Sequence, residues 1–135
     1  MPRTLLDTDI LSFMLRKHPI VINRATQYLS TYPKYTFSLI TRYEILRGLK
    51  AKNAVKQLAA FDLFCQNSEI LPITEEVISH ASDIYAILHQ RGQLIGDADL
   101  LIAATALDHD LILATNNENH FSRVSNLRID NWSKP

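Results

Sequence analysis

Two short stretches hold carboxylates in company that makes a bare charge unfavourable. In LLDTDILSF an apolar run ends on Asp7, with Asp9 one threonine further on. In LIGDADLLIAATALDHD, Asp97 and Asp99 open a segment whose residues from Leu100 to Leu107 are apolar except Thr105. An ionised carboxylate in such surroundings is destabilised by several kcal/mol unless a donor or a cation compensates it. Three chemistries answer to the first pair: Asp7 as a nucleophile that takes a phosphoryl group, with Asp9 as proton donor; Asp7 as a ligand of a divalent cation; or a strand that simply runs into a capped helix. For the second pair, a cation on Asp99 competes on even terms with a structural use, in which Asp97 caps a helix and Asp99 meets its free amides.

Other polar groups fall at element ends. Glu44, in SLITRYEILRGLK, lies on a helical wheel beside Thr41 and Gly48 and away from Ile45, Leu46 and Leu49, which predicts a solvent-facing side chain. In ILATNNENHFSRV an apolar run ends in Thr115, Asn116 and Asn117, a pattern that serves a turn or helix cap as well as a ligand site. His120 follows, and a lone histidine is ordinarily a surface or packing residue. No Cys/His cluster has zinc spacing, so the donor set is one of oxygens and suits a hard cation such as Mg²⁺ or Mn²⁺. Mg²⁺ takes one or two carboxylates and keeps waters for phosphate oxygens, an arrangement able to activate water and neutralise a phosphodiester in transit.

Short β-prone runs at 3–7, 35–39, 69–73, 111–115 and 127–131 predict the strands that would position these groups. Between them, 20–32 and 53–66 repeat apolar residues at three and four, and 74–91 opens with Thr-Glu-Glu and carries Val77, Ile78, Ala81, Ile84, Tyr85 and Leu88 on one face before Gly92. The segment from Asp99 is apolar nearly all round and predicts a helix buried between layers. Alternating strands and helices predict an α/β fold with a mostly parallel central sheet of about five strands, in one domain over 1–135. Ligands of such sheets collect beyond the carboxyl ends of the strands, where Asp7 falls.

Composition narrows the function classes. Fourteen basic residues balance fourteen acidic ones over 135 residues, so nucleic acid would have to be bound locally rather than by a global basic excess. Arg42, Arg47, Lys50, Lys52 and Lys56 gather in RYEILRGLKAKNAVK, as a positive edge or, more commonly for such a run, a solvated helix face. The three glycines form no phosphate-cradling loop. No window approaches a membrane span and the N-terminus lacks signal-peptide features, so a cytoplasmic location is expected. The single cysteine, Cys65, is expected to be a buried structural thiol.

In chain order, LLDTDILS, SLITRYEILRGL, GDADLLIAATALDHDLILATNN and NHFSRVSNLRIDNW resemble the motifs of the PIN-domain ribonucleases, and within them the VapC toxins of bacterial toxin–antitoxin pairs, over nearly the whole chain. The resemblance implies a three-layer PIN-like fold and an acidic metal site of Asp7, Glu44 and Asp99, with Asp7 and Asp99 as ligands and Asp97 as an auxiliary carboxylate. The family's fourth position, often aspartate, is Asn117 here, which implies a neutral ligand or a water-positioning group. Thr8 and Thr115 match positions that orient ligands or the attacking water, and Arg47 would hold the RNA backbone. The implied activity is Mg²⁺-dependent hydrolysis of RNA phosphodiesters, with Mn²⁺ as an alternative ion. The implied partners are RNA, a small antitoxin whose tail enters the acidic groove, and a second copy of the chain, with no membrane. On this reading Asp9 caps a helix that begins at Ile10.

Two alternatives stay open. A haloacid-dehalogenase-like phosphatase would use Asp7 as nucleophile, but Leu11 stands where that pattern has Thr or Val, and no suitable lysine follows. A PIN-like module that binds RNA or protein without cutting would not need all three acids that the resemblance retains.

Overall fold

The computed structural model describes residues 1–135. Its strands are β1 (Thr4–Leu6), β2 (Thr36–Ser38), β3 (Glu69–Leu71), β4 (Ile112–Ala114) and β5 (Ile129–Asp130), in one sheet ordered β3-β2-β1-β4-β5. Every pairing is parallel. Parallel neighbours need crossovers, and helices supply them: α1 (Thr8–Leu15), α2 (Pro19–Leu29), α3 (Leu39–Ala51), α4 (Val55–Gln66), α5 (Glu75–Gln90), α6 (Asp97–Asp108) and α7 (Glu118–Phe121).

Alternation along the strands creates two cores and hence three layers. Leu5 sits opposite Thr36 and Leu113, and Leu6 opposite Phe37 and Ala114. Successive side chains point to opposite faces, so Leu5 and Leu113 pack with Val77, Leu88 and Ile102 of α5 and α6. Leu6, Phe37 and Ala114 pack on the other face with Ile10, Val21, Phe61 and Trp132. Ile40 of α3 touches the first core, and its Ile45, Leu46 and Leu49 touch the second, so α3 bridges both layers from the end of β2. In α6, Leu100 and every residue from Ile102 to Ala106 are buried, as the all-round apolar pattern predicts, and the small Ala103, Ala104 and Ala106 allow close approach of its neighbours. On α5, Val77, Ala81, Ile84 and Leu88 are buried, while Ile78 and Tyr85 stay exposed at the flank.

The elements are tighter than the sequence patterns suggest, because strand ends become caps. Asp7, Ser38 and Thr74 each leave a strand or loop in extended geometry and accept from an amide of the next helix. The strand expected over 35–39 therefore ends at Ser38, and the helix expected over 20–32 runs from Pro19 to Leu29. Two expected caps are corrected. Asp7, not Asp9, caps α1, since β1 stops at Leu6 and the side chain of Asp7 reaches the Ile10 amide; Asp9 is an exposed first-turn acid. Gly96, not Asp97, is the N-cap of α6, because Asp97 already has helical geometry.

Cys65 is buried in the second core beside Phe61, and burial pushes its thiol up from the ordinary value. Of the basic run, Arg47, Lys50, Lys52 and Lys56 are exposed, whereas Arg42 pairs with Asp62 at 3.6 Å. No helix is long and apolar enough to cross a membrane.

Candidate active site

The carboxyl ends of the three middle strands meet above the sheet. Asp7 leaves β1 with its amide still donating to Ala114 O at 3.0 Å, so its backbone is fixed by β4 before the side chain turns to cap α1. Its Oδ1 accepts from Ile10 N at 2.8 Å, and the residue is 3% exposed. Burial is the main cause that pushes its carboxyl up to about 7; the Ile10 amide and the Thr115 hydroxyl act in the opposite direction, and Asp9 and Asp99 add repulsion.

Thr8 follows and joins two strand ends. Its Oγ1 donates to Glu44 Oε1 at 2.6 Å and lies 3.1 Å from Thr41 Oγ1. A threonine hydroxyl has one proton, so Thr41 must donate to Thr8 while Thr8 donates to Glu44. This relay holds Glu44 against Thr8 at the end of β1 rather than toward water, and it corrects the solvent-facing prediction: the glutamate's side chain is only 20% exposed. The helical wheel separates apolar from polar faces but cannot tell a polar face lying on solvent from one lying on a site. Arg47 Nη2 stands 3.6 Å from Glu44 Oε2, and its guanidinium lies 5.2 Å from the Tyr43 ring centroid, at the exposed mouth.

Asp99 enters from the first turn of α6. Burial raises its carboxyl above the ordinary value, His120 opposes that shift, and Glu44 and Asp9 add to it. Asp99 is thus brought within electrostatic reach of both Asp7 and Glu44, although 92 and 55 positions separate it from them in sequence. Thr115 is fully buried at the end of β4, and its Oγ1 accepts from Asn117 N at 2.8 Å, tightening the turn that presents Asn117. Asp97 lies outside this group: two residues from Asp99, hence roughly 200° round the helix, it shares a surface cleft with Ile78 and Tyr85.

His120 is the functional candidate that its sequence context left unmarked. Its Nδ1 lies 2.8 Å from Asn117 Nδ2 and 3.3 Å from Asp99 Oδ2. A single ring nitrogen carries a proton or a lone pair, so it can accept from the Asn117 amide or donate to Asp99. With the Asn117 amide turned over, its carbonyl would face the ring and Nδ1–H would serve both oxygens. Only the i,i+3 spacing from Asn117 could have signalled the pairing. Since a partner that orients a ligating carboxylate is usually worth about tenfold in activity, any reaction that uses Asp99 as a ligand should slow about tenfold in His120→Ala with thermal stability unchanged; steady-state kinetics beside a melting curve checks this.

The donors fit a hard divalent cation of modest protein coordination. Asp7 and Asp99 are repelling carboxylates, one of them deeply buried, and all neighbouring donors are oxygens apart from His120. No three Asp, Glu, His or Cys side chains lie close enough together to hold a metal ion among them. Two carboxylates with positions left for water and phosphate oxygens match what Mg²⁺ prefers.

Comparisons with known proteins point to one family. The PIN-domain family profile matches residues 4–127. The ribonuclease VapC2 of Haemophilus influenzae is 32% identical, covering 98% of this chain and 99% of its own. The tRNA(fMet)-specific endonuclease VapC of Shigella flexneri is 29% identical, over 98% of this chain and 100% of its own. Among solved structures, DNA-bound VapBC from Salmonella typhimurium superposes with a TM-score of 0.86 at 28% identity, over 98% of this chain and 99% of that one.

Proposed function

The chain belongs to the PIN-domain family, among the VapC ribonucleases, and on that footing we propose that it is the endoribonuclease toxin of a VapBC-type pair, cutting RNA phosphodiesters with a divalent cation held by Asp7 and Asp99. The observation that carries the mechanism is the gathering of Asp7 and Glu44 within electrostatic reach of Asp99, beyond the carboxyl ends of parallel strands, with the carboxyls of Asp7 and Asp99 raised chiefly by burial and further by neighbouring carboxylates. When bound, Mg²⁺ or Mn²⁺ supplies charge neutralisation for the phosphodiester and lowers the pKa of water.

The chain's own groups do the rest. Asp7, anchored through its amide and its cap, gives a rigid ligand; Asp99, steadied by His120, gives the second. Glu44, oriented by the Thr41–Thr8 relay and within electrostatic reach of Asp99, can take a proton from an attacking water. Thr115 fixes the turn from which Asn117 presents a neutral amide. Arg47, exposed over Tyr43, is placed to meet a backbone phosphate. The protein works in the cytoplasm, pairs with a second copy of itself, and is held inactive by a cognate antitoxin; the solved relatives in complex with antitoxin and DNA support that partnership.

The test is cleavage by the purified toxin, freed of antitoxin. The Shigella relative's name makes initiator tRNA the first substrate to try. Activity should vanish in excess EDTA and return with Mg²⁺ or Mn²⁺ but not with Ca²⁺ at equal concentration. Cleavage that persists undiminished in EDTA would overturn the cation's role.

A further inference from the structure

Between the end of α5 and the chain around α7 lies a cleft of about 480 Å³ lined by Arg91, Gln93, Asn119, Ser122 and Arg123 among others, with no apolar and no acidic side chain on its wall. In a chain with balanced charge this is a local concentration of positive potential. Most arginines elsewhere are neutralised: Arg3, Arg24, Arg42 and Arg128 each pair with a carboxylate, and Arg47, already placed at the mouth of the site, stands 3.6 Å from Glu44. Of the other three, Arg16 rests on the Phe13 ring, 5.3 Å from its centroid, and the remaining two, Arg91 and Arg123, both face this cleft.

The cleft is tied to the site by short covalent paths. Arg123 is one helical step of three from His120, whose carbonyl its amide bonds at 3.2 Å. Its Nη1 donates to the carbonyls of Gln93 at 3.4 Å and Leu94 at 3.3 Å, in the loop that leads into the first turn of α6 and Asp99. One edge of the guanidinium is therefore spent on holding that loop, which fixes the group and leaves its other donors for a ligand. Arg91, at the end of α5, makes no ion pair or side-chain hydrogen bond and is exposed. Two guanidinium groups, three short polar side chains and no carboxylate recognise phosphate oxygens, for which arginine's forked donors are suited.

We propose that this cleft is a backbone subsite: Arg91 and Arg123 bind phosphates of the RNA strand on one side of the bond to be cut, while Arg47 holds the strand on the other. The inference rests on the ribonuclease reading and assigns the strand's path across the carboxylates. Both arginines contact only backbone, so they contribute affinity and register but no base preference.

The experiment measures binding of a single-stranded RNA to the metal-free toxin across a salt series, and kcat and KM in Mg²⁺, for wild type, Arg91→Gln, Arg91→Lys and Arg123→Gln, with Arg16→Gln as a surface control. Each lost phosphate contact should reduce the slope of log K against log salt by about 0.7. Arg91→Gln should raise KM roughly fivefold to tenfold with kcat within about twofold, Arg91→Lys should recover most of the loss, and Arg16→Gln should match wild type. Arg91 carries the judgement, since Arg123→Gln also loosens the 92–96 loop. An unchanged slope and KM in Arg91→Gln overturns the subsite; so does a variant that binds RNA normally but loses its antitoxin, which would make the cleft a protein contact. The salt series needs neither metal nor turnover, so it judges the cleft even if the wild type fails to cut RNA, the outcome that would instead sink the nuclease reading.

Discussion

Asp7→Asn should abolish RNA cleavage, by about a thousandfold or more, and at the same time make the metal-free protein more stable at pH 8. The first effect follows from removing the charge on the more rigidly held of the two proposed ligands; a thousandfold corresponds to roughly 4 kcal/mol of transition-state stabilisation. The second follows from where that charge sits. The folded protein raises the Asp7 carboxyl from 3.8 to about 7, so the folded state holds the proton more tightly than the unfolded chain. The stability linked to that proton is fully present below about pH 4, declines as pH rises, and is lost once pH passes 7. The full span is on the order of 4 kcal/mol. Asparagine keeps the oxygen that accepts from the Ile10 amide, so the cap survives while the penalty disappears. Urea denaturation in EDTA at pH 5 and pH 8 should show the wild type weakening relative to the variant at the higher pH. Adding Mg²⁺ should then stabilise the wild type and leave the variant unmoved. Equal stabilities at both pH values would remove the argument from burial.

Asp99→Asn should cost cleavage a similar factor of about a thousand, but with a much smaller gain in stability. The Asp99 side chain is 29% exposed and has His120 beside it, so water and the imidazole already temper its charge. The informative measurement is the double variant. Two ligands of one ion act as a unit, so Asp7→Asn/Asp99→Asn should be little worse than either single change, far from the roughly millionfold loss that independent effects would give. Multiplicative losses would show that the two aspartates serve separate steps, and single-turnover cleavage of a labelled RNA has the range to decide.

Most of what positions the site could be read from residue order. The runs ending at Leu6 and Ala114 alternate or stack apolar residues strongly enough to announce buried parallel strands, and the 100–107 segment, apolar but for Thr105, announces a helix between layers. What one-dimensional patterns miss is the direction a polar face looks. Glu44 has the periodicity of a solvent-exposed residue because α3 turns that face to Thr8 and the ends of β1 and β2, a relation set by tertiary packing. Asp9 looked like the cap because strand ends cannot be placed to one residue, and here that residue decides which aspartate bonds the Ile10 amide. His120 had no signal of its own; only the fold brings it from α7 to a carboxylate 21 positions earlier. The resemblance to a known family named Glu44 where helical geometry could not, and the arginine-lined cleft emerged only once α5 and α7 had been placed side by side.

The lone thiol gives the second core a built-in reporter. Cys65 is 9% exposed, packed against the aromatic layer under α4, and shifted away from its reactive thiolate form by burial. Disulfide reagents can reach it only when that layer opens, so the rate at which it is modified, divided by the rate for a free thiol, gives the population of the opened form. Because the chain has no other cysteine, the signal needs no engineering. It can follow how a bound antitoxin or RNA damps the breathing of one half of the molecule while the acidic groove itself is left untouched.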